Sequence, residues 1–193
     1  MPFIFLIETI AVASRIEDLR IKLGFSQYFA VDCRGCSGGL AIFWKSSVDC
    51  SVTGYSRNHV DVVFNENNIQ KWRLTCFYGF PNRSQRKQSW ELICRLSNLS
   101  NLPWCIMGDF NDILYSTDKK GLHPHPDYLM RGFRNTLDES ELTEVELQGG
   151  CFTWENSRGK ENWVQEKLDR AFTTLRWWNL FPLCKLGVIT TTV

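Results

Sequence analysis

An acid and an amide stand two residues apart at the end of a short apolar run. Gly108-Asp109-Phe110-Asn111 follows directly on the apolar residues 104–107. Gly108 lets the backbone turn without a Cβ clash, and Asp109 and Asn111 project on the same side if the chain stays extended. The carboxylate can take a proton from an attacking water while the amide donates a hydrogen bond to a phosphoryl oxygen, which suits phosphodiester hydrolysis. The alternative is a strand-to-helix turn in which Asp109 or Asn111 only caps the next helix.

Three further residues at the ends of predicted strands, or within one, could take part in such chemistry. Glu8 follows a short apolar run, and hard cations such as Mg²⁺ are often bound through only one or two carboxylates. Tyr78 ends another run, and its hydroxyl could bind a phosphate oxygen. Asp169 is flanked by the basic residues Lys167 and Arg170. Each has a simpler alternative: a solvated carboxylate, a core aromatic ring and a solvated surface face, respectively.

Short strands interspersed with a few helices must position these residues. Apolar and β-branched runs between turn signals predict strands at 3–7, 28–31, 40–44, 48–52, 60–64, 72–78, 104–107, 152–154, 164–172 and 186–193. Helical spacing predicts helices from a cap at Ser14 to Gly24, from Ser84 through Leu96, over 129–137 and over 177–181, with a turn at 65–68 and a loop at 117–127. This pattern indicates an α/β (α+β) fold, a two-layer β-sandwich flanked by helices, in a single domain over 1–193.

Composition excludes some classes of protein. Hydrophobic residues make up 44% of the chain and aromatic residues 13%, which argues against disorder. The net charge of +1 gives no global basic field, although a local basic groove and a bound cation would still permit a nucleic-acid partner. No stretch approaches the roughly 20 apolar residues that a membrane helix needs. We therefore expect neither a membrane partner nor a small-molecule cofactor.

The eight cysteines are expected to be reduced thiols without disulfides. Several lie in apolar runs, where cysteine behaves as a small buried hydrophobe, and the N-terminus has no secretory signal. Cys33 and Cys36 form a CxxC pair, but a zinc site would need a second ligand pair near it. We therefore expect an intracellular protein, nuclear or cytoplasmic. His123 and His125 lie in a Pro-containing loop, where surface placement is expected.

In this order and spacing, the motifs resemble the endonuclease/exonuclease/phosphatase superfamily, which has the DNase I-like fold. The resemblance rests on Glu8-Thr9, on FYGFPN at 77–82, on GDFN at 108–111, on FTW at 152–154 and on KLDRAF at 167–172. In finer detail the sequence is similar to endonuclease domains of plant non-LTR (LINE-type) retrotransposons, through GGLA at 38–41, NHVD at 58–61, WRLT at 72–75 and Trp178 ahead of Phe181-Pro182. The resemblance covers essentially the whole chain.

The resemblance implies a role for each matching residue. Glu8 would bind Mg²⁺, with Mn²⁺ as a substitute, and Tyr78 would hold the scissile phosphate. Asp109 would orient or deprotonate the nucleophilic water, and Asn111 would stabilise charge developing on phosphorus. The substrate-binding residues would be Asn82, Thr153 and Asp169. The substrate would be DNA, and the ancestral protein would also carry a reverse transcriptase domain. We expect Glu8, Asp109 and Asn111 to converge in one pocket.

The sequence also departs from the family pattern. The family has a strand carrying an Asn before the Glu strand and a Ser-Asp-His triplet after the closing strand, whereas this sequence starts at Met1 and stops at Val193. We therefore expect a domain lacking its first and last strands, with nicking at least about a hundredfold below a version extended through the triplet. The alternative is a catalytically inactive remnant with at most residual nucleic-acid or protein binding. A phosphatase of small phosphoesters fits the dense plant-element motifs less well.

Overall fold

The computed structural model describes residues 2–33, 38–65, 70–150 and 152–188. The chain divides into two compact units, Met1–Tyr78 (the first unit) and Gly79–Val193 (the second unit). The elements of the first unit are β1 (Phe3–Ile7), α1 (Ala13–Leu23), β2 (Gln27–Val31), β3 (Leu40–Trp44), β4 (Cys50–Ser56), β5 (His59–Phe64) and β6 (Trp72–Tyr78).

Two antiparallel strand arrangements pack together in the first unit. β3 pairs with β1 on one side and β2 on the other, while β5 pairs with β4 and β6. The Phe3 ring of β1 lies 5.5 Å from the Phe64 ring of β5, edge to face. α1 buries Ile16 against Phe43 of β3, and it ends where Gly24 adopts φ 70. Burial of these apolar side chains holds β1 in place, so the position of Glu8 just after β1 is fixed by the core.

The second unit alternates helices with short strands. Its elements are α2 (Arg86–Ser97), β7 (Trp104–Asp109), β8 (Lys119–Lys120), α3 (Asp127–Glu139), β9 (Thr143–Glu144), β10 (Leu147–Gln148), β11 (Trp154–Asn156), β12 (Val164–Glu166), β13 (Asp169–Thr173), α4 (Leu175–Leu180) and β14 (Leu186–Gly187), with 3-10 helices at Arg83–Gln85 and Ser116–Asp118. β13 pairs with β7 and β9, β12 pairs with β11 and β8, and β10 lies parallel to β14.

Aromatic rings form the centre of the second unit. The Phe110 ring lies 5.6 Å from Phe133 of α3 and 4.9 Å from Phe172 of β13, and all three side chains are buried. α2 contacts α3, where the absence of a side chain at Gly132 makes room for the Trp90 ring. Because Phe110 belongs to the GDFN motif, the core of this unit extends directly into the candidate site.

The predicted sheets with flanking helices are confirmed, and strands β1, β3 and β6 match their predicted limits. The single strand predicted over 164–172 is wrong. β12 and β13 belong to different sheets, because the Thr153 hydroxyl accepts hydrogen bonds from the amides of Leu168 and Asp169 at 3.0 and 2.9 Å and interrupts the ladder. The strand predicted over 152–154 is displaced, since β11 begins at Trp154 and leaves Thr153 for that contact.

Smaller differences have local causes. The strand predicted at 48–52 begins at Cys50, because the Val48 amide closes a turn by donating to the Lys45 carbonyl at 2.9 Å. The loop predicted at 117–127 contains β8, which gains its hydrogen bonds from β12. Ser14 does not cap α1, whose N-cap is Val12 without a side-chain hydrogen bond. The turn at 65–68 and the strand at 186–193 lie partly outside the described residues.

The cysteines at positions 33, 50, 94, 105 and 184 are thiols rather than disulfides. Cys36 and Cys151 lie outside the described residues. Burial raises the pKa of the Cys50 thiol to about 11 and that of Cys105 to about 12. These two thiols are therefore protonated near neutral pH and serve as structural side chains. No helix in the described ranges is long and apolar enough to cross a membrane.

Candidate active site

Asp109 and Asn111 form a hydrogen-bonded pair at the end of β7. The Asp109 carboxylate accepts the Asn111 backbone amide at 2.7 Å and the Asn111 side-chain amide at 2.9 Å. The Asn111 side-chain amide also donates to the Gly79 carbonyl at 3.1 Å. Asn111 has φ 53, a left-handed conformation that is uncommon for residues other than glycine, although asparagine adopts it more readily than most. The predicted acid and amide therefore lie together, and their geometry is specified by their own hydrogen bonds.

The residue between them is anchored in the core. Phe110 is 1% exposed, and its amide donates to the Leu168 carbonyl at 3.0 Å. Gly79 passes so close to the Phe110 carbonyl that a Cβ at position 79 would overlap it. The Gly79 amide also donates to the Asp109 carbonyl at 2.7 Å. Glycine in the FYGFPN motif thus has a steric reason: it lets the backbone approach the acid–amide pair.

Asp169 and Thr153 lie beside this pair in the second unit. Asp169 stands opposite Asp109 in the antiparallel register of β13 and β7, and its side chain is exposed. Thr153 contacts the same segment, since its hydroxyl accepts the Asp169 amide at 2.9 Å. The structure thus places Asp169 opposite Asp109 and Thr153 against Asp169, and substrate binding by either residue stays a prediction.

Arg170 is buried, whereas its neighbour Asp169 in the KLDR segment is exposed. The Arg170 side chain forms ion pairs with Glu144 and, at 2.6 Å, with Asp118. Asp118 in turn accepts the amides of Leu114 and Tyr115 at 2.9 Å each. The simpler interpretation of this segment is therefore wrong for Arg170, because a buried guanidinium needs the carboxylates that β9 and the 116–118 turn supply.

Asn82, the third predicted substrate-binding residue, has a local role at the surface. Its side-chain oxygen accepts the Ser84 amide at 3.1 Å and the Ser84 hydroxyl at 2.9 Å. It thereby caps the 3-10 helix Arg83–Gln85, which leads into α2. Contact between Asn82 and a bound strand stays a prediction.

Glu8 and Tyr78 meet in the first unit. The Tyr78 hydroxyl donates to a carboxylate oxygen of Glu8; Tyr78 is buried, whereas Glu8 is exposed. Glu8 has φ 52, and the Thr9 amide after it donates to the Gly39 carbonyl at 3.2 Å. A left-handed residue directly after a strand turns the chain sharply, and such strained positions cluster at functional sites. Convergence of Glu8 with Asp109 and Asn111 stays a prediction.

The donor atoms of Glu8 suit a hard divalent cation. Its carboxylate is solvent-exposed and oriented by the buried Tyr78 hydroxyl. Magnesium is typically held by one or two carboxylates with water completing its shell. Within the described ranges, no group of three or more His, Cys, Asp or Glu side chains is arranged as a metal site. This donor set therefore fits Mg²⁺ or Mn²⁺ at a single carboxylate and does not fit a tetrahedral zinc centre.

Sequence reasoning missed Asp112 and misplaced His125. Asp112 directly follows Asn111 and is 1% exposed, and His125, predicted on the surface, is 8% exposed. The prediction for His125 is wrong because its ring lies against the buried Asp112 carboxylate, with Nε2 3.3 Å from Oδ1. For Asp112, the sequence signal that could have been used is an acidic residue immediately before the apolar pair Ile113-Leu114.

Comparison with known proteins agrees with this geometry. The model of the Endonuclease/Exonuclease/phosphatase family matches residues 3–184. The endonuclease domain of TRAS1, a telomere-specific non-LTR retrotransposon, superimposes with a TM-score of 0.65 at 19% identity, over 91% of this chain and 87% of that one. A Neisseria 3′ phosphatase, NExo, bound to a product DNA hairpin gives 0.66 at 14% identity, over 90% and 76% of the two chains.

An AP endonuclease from Archaeoglobus fulgidus gives a TM-score of 0.65 at 12% identity, again over 90% of this chain and 76% of that one. At these identities the solved structures show a shared fold, the DNase I-like arrangement of sheets and flanking helices. No curated protein sequence matches the chain. The family match covers nearly the whole sequence and includes every predicted site residue, so the chain belongs to the endonuclease/exonuclease/phosphatase family.

Proposed function

We propose that this chain is a metal-dependent nuclease that hydrolyses DNA phosphodiester bonds and derives from a plant non-LTR retrotransposon. Family membership supports a nuclease or phosphodiesterase domain. The similar structures include a retrotransposon endonuclease domain and an enzyme bound to a DNA product. In a longer protein of this origin, an associated reverse transcriptase domain would extend the 3′ end that nicking creates.

The observation that carries this proposal is the left-handed Asn111 beside Asp109. Its φ of 53 is held by hydrogen bonds to Asp109 and Gly79. The bond from the Asn111 backbone amide to Asp109 is that of an Asx turn, which a helix cap also forms. The second bond, from the Asn111 side-chain amide, goes beyond a cap because it fixes the amide group against the carboxylate. Strain retained at polar residues after a buried strand points to chemistry at that position.

Asp109 and Asn111 would divide the work on the phosphodiester. In this proposal a carboxylate oxygen of Asp109 orients the attacking water and accepts its proton. The Asn111 side-chain amide, which now donates to the Gly79 carbonyl and to Asp109, would exchange one of these acceptors for a phosphoryl oxygen. The hydrogen bond that remains would keep the amide in place while its other N–H stabilises the charge that develops on phosphorus.

Glu8 would hold the divalent cation, Mg²⁺ or Mn²⁺, through its exposed carboxylate. The Tyr78 hydroxyl keeps that carboxylate oriented through its hydrogen bond and could also contact a phosphate oxygen. When bound, the cation supplies Lewis-acid charge to the phosphoryl and leaving oxygens. In this proposal Glu8 acts on the same phosphodiester as the acid–amide pair.

Asp169, Thr153 and Asn82 would shape substrate binding. Asp169 is exposed opposite Asp109 in the register of β13 and β7, so its charge would favour a cation over a bare phosphate near that edge. Thr153 fixes the backbone before Asp169, and Asn82 fixes the segment that follows Gly79. Their substitution should therefore affect affinity for DNA more than the maximal rate.

Nicking of supercoiled plasmid by the purified chain tests this proposal. We expect open-circle product with Mg²⁺ and none with EDTA. Asp109→Ala and Asn111→Ala should each lower the rate by at least about a hundredfold. Asp138→Ala and Asn135→Ala make the same changes at exposed positions of α3 and should leave the rate unchanged. Equal rates for Asp109→Ala and Asp138→Ala would refute the proposal.

A further inference from the structure

Asp112 is a buried carboxylate that directly follows Asn111. Its residue is 1% exposed. Oδ1 accepts the Ile113 amide at 3.0 Å, and Oδ2 accepts the indole N–H of Trp90 from α2 at 3.2 Å. Burying an ionised carboxylate is unfavourable unless it is paired and hydrogen-bonded. The Asp112 carboxylate therefore requires basic partners within the buried region.

Two basic side chains from separate segments face Asp112. The Arg86 guanidinium, at the first residue of α2, lies 3.1 Å from Oδ1. The His125 ring, just before α3, has Nε2 3.3 Å from the same oxygen. Both side chains are largely buried, at 11% and 4% exposed. Asp112 therefore joins α2, the turn after β7 and the segment before α3 at one carboxylate.

These contacts bear on the site because Asn111 is flanked by two anchored residues. On one side Phe110 is held among Phe133 and Phe172. On the other side Asp112 is held by Trp90 and Arg86. A residue with positive φ keeps that conformation only when its surroundings over-determine it. Hydrogen bonds to Asp109 and Gly79 hold the side chain and the backbone amide of Asn111, and the two anchors fix the backbone on either side of it.

We propose that Asp112 is a positioning residue whose contacts with Trp90, Arg86 and His125 hold Asn111 in its left-handed conformation. The role in catalysis rests on the proposed nuclease function. Asp112 does not itself meet substrate, since its side chain is only 2% exposed. Its effect on the reaction is transmitted through the backbone of the preceding residue, Asn111, and misplacement by about 1 Å can cost about a hundredfold in rate.

Asp112→Asn tests the proposal, because it keeps the shape of the side chain and removes its charge. The matched control is Asp61→Asn in the first unit. Asp61 is also a buried carboxylate paired with an arginine, Arg73, at 2.7 Å, but it belongs to β5 and not to the GDFN turn. Both variants leave a buried guanidinium without its carboxylate, so both should lose stability.

Two readouts separate positioning from stability, each compared at equal folded fraction. In plasmid nicking, Asp112→Asn should lower kcat by about tenfold to a hundredfold with KM within about twofold, whereas Asp61→Asn should leave both close to wild type. In ¹H–¹⁵N spectra, the side-chain amide signals of Asn111 should shift in Asp112→Asn and stay in place in Asp61→Asn; its backbone amide is no test, because any substitution at the adjacent position shifts it. Equal kcat losses for the two variants, or an unmoved Asn111 signal in Asp112→Asn, would overturn the proposal.

A wild-type chain that does not nick would refute the proposed function alone, and the Asn111 signals would then decide the role of Asp112. If Asp112→Asn does not fold, Trp90→Phe replaces it. That change removes the indole donor to Oδ2 and leaves a smaller aromatic ring beside Gly132. We expect a smaller shift of the Asn111 signals in the same direction, and no shift would count against the proposal.

Discussion

The acid–amide pair of the second unit and the Glu8 carboxylate of the first unit both follow a strand on left-handed backbone, yet they are supported differently. Asn111 lies between two residues that are each 1% exposed, Phe110 and Asp112. Glu8 is exposed, and its supports are the Tyr78 hydroxyl and the backbone contact between Thr9 and Gly39 at 3.2 Å. The backbone of Asn111 is embedded in the core of the second unit, whereas Glu8 lies at the surface of the first unit.

This difference matches the tasks proposed for the two regions. Groups that transfer protons or stabilise charge must be held within about 0.5 Å of their working positions. A carboxylate that binds Mg²⁺ meets a cation that keeps several of its own waters, so it needs exposure more than rigid packing. We expect substitutions around Asn111 to change rate and stability together, and substitutions around Glu8 to change the response to metal.

The largest effect is expected from Phe110→Ala. Removing a buried ring from contact with Phe133 and Phe172 should lower the free energy of unfolding by about 3–5 kcal/mol and release Asn111. Phe25→Ala is the control in the first unit, where Phe25 is buried against Phe43 at a ring distance of 6.0 Å. Urea unfolding and nicking of the folded fraction measure the two outcomes. Equal residual activity in the two variants would break the proposed link between this core and the site.

A smaller loss is expected from Gly79→Ala. The added Cβ would overlap the Phe110 carbonyl, so the backbone must shift at a cost of about 1–3 kcal/mol. The shift would also move the carbonyl that accepts the Asn111 amide. Gly187→Ala is the control, because a Cβ there meets nothing within 4 Å. Thermal unfolding and nicking assays should show losses for Gly79→Ala only, and a wild-type profile would contradict the close approach.

At the Glu8 region, Tyr78→Phe should have a milder effect. It removes the hydroxyl that orients the Glu8 carboxylate, worth about 1.5 kcal/mol for a bond to a charged group. We expect the Mg²⁺ concentration for half-maximal nicking to rise by about tenfold or less. Tyr55→Phe, at an exposed tyrosine of β4, should leave the metal response unchanged. A reduced maximal rate at saturating Mg²⁺ would instead indicate contact between Tyr78 and the phosphate.

The smallest expected difference is in the alkylation rates of two buried thiols, one in each unit. Burial raises the pKa of Cys105 on β7 to about 12 and that of Cys50 on β4 to about 11. Since the thiolate is the reactive form, Cys105 should alkylate about tenfold more slowly than Cys50 at pH 8. Both rates should rise about tenfold per pH unit below these values. Peptide mass mapping after iodoacetamide pulses measures this, and faster labelling of Cys105 would show that β7 opens locally.

Much of this arrangement could be predicted from the sequence. Apolar strands with clear turn signals at 3–7, 40–44 and 72–78 were placed correctly, because period and composition there agree with burial. The proximity of Asp109 and Asn111 was also predictable, since two residues apart on an extended chain lie on one side. The left-handed φ of Asn111 was not, because it depends on hydrogen bonds with Asp109 and Gly79 and, in our proposal, on the anchoring of Asp112.

The buried basic side chains could not be predicted from local sequence patterns. His125 and Arg170 occupy polar segments that read as surface, yet both are buried beside carboxylates from distant parts of the chain, Asp112 and Asp118. Pairing between a buried base and a carboxylate is set by tertiary structure, and no residue spacing along the sequence predicts it. The split between β12 and β13 has the same origin, because it depends on the Thr153 hydroxyl.

The division of labour between the two regions is tested most directly by the Mg²⁺ dependence of nicking in Glu8→Gln and Asp109→Asn. Each variant keeps the shape of its side chain and removes one charge. For Glu8→Gln we expect the half-maximal Mg²⁺ concentration to rise by at least about tenfold, with the rate largely recovered at saturation. For Asp109→Asn we expect a maximal rate at least about a hundredfold lower, with an unchanged half-maximal concentration. A lower maximal rate without a shifted Mg²⁺ response in Glu8→Gln, or a shifted response in Asp109→Asn, would contradict the account.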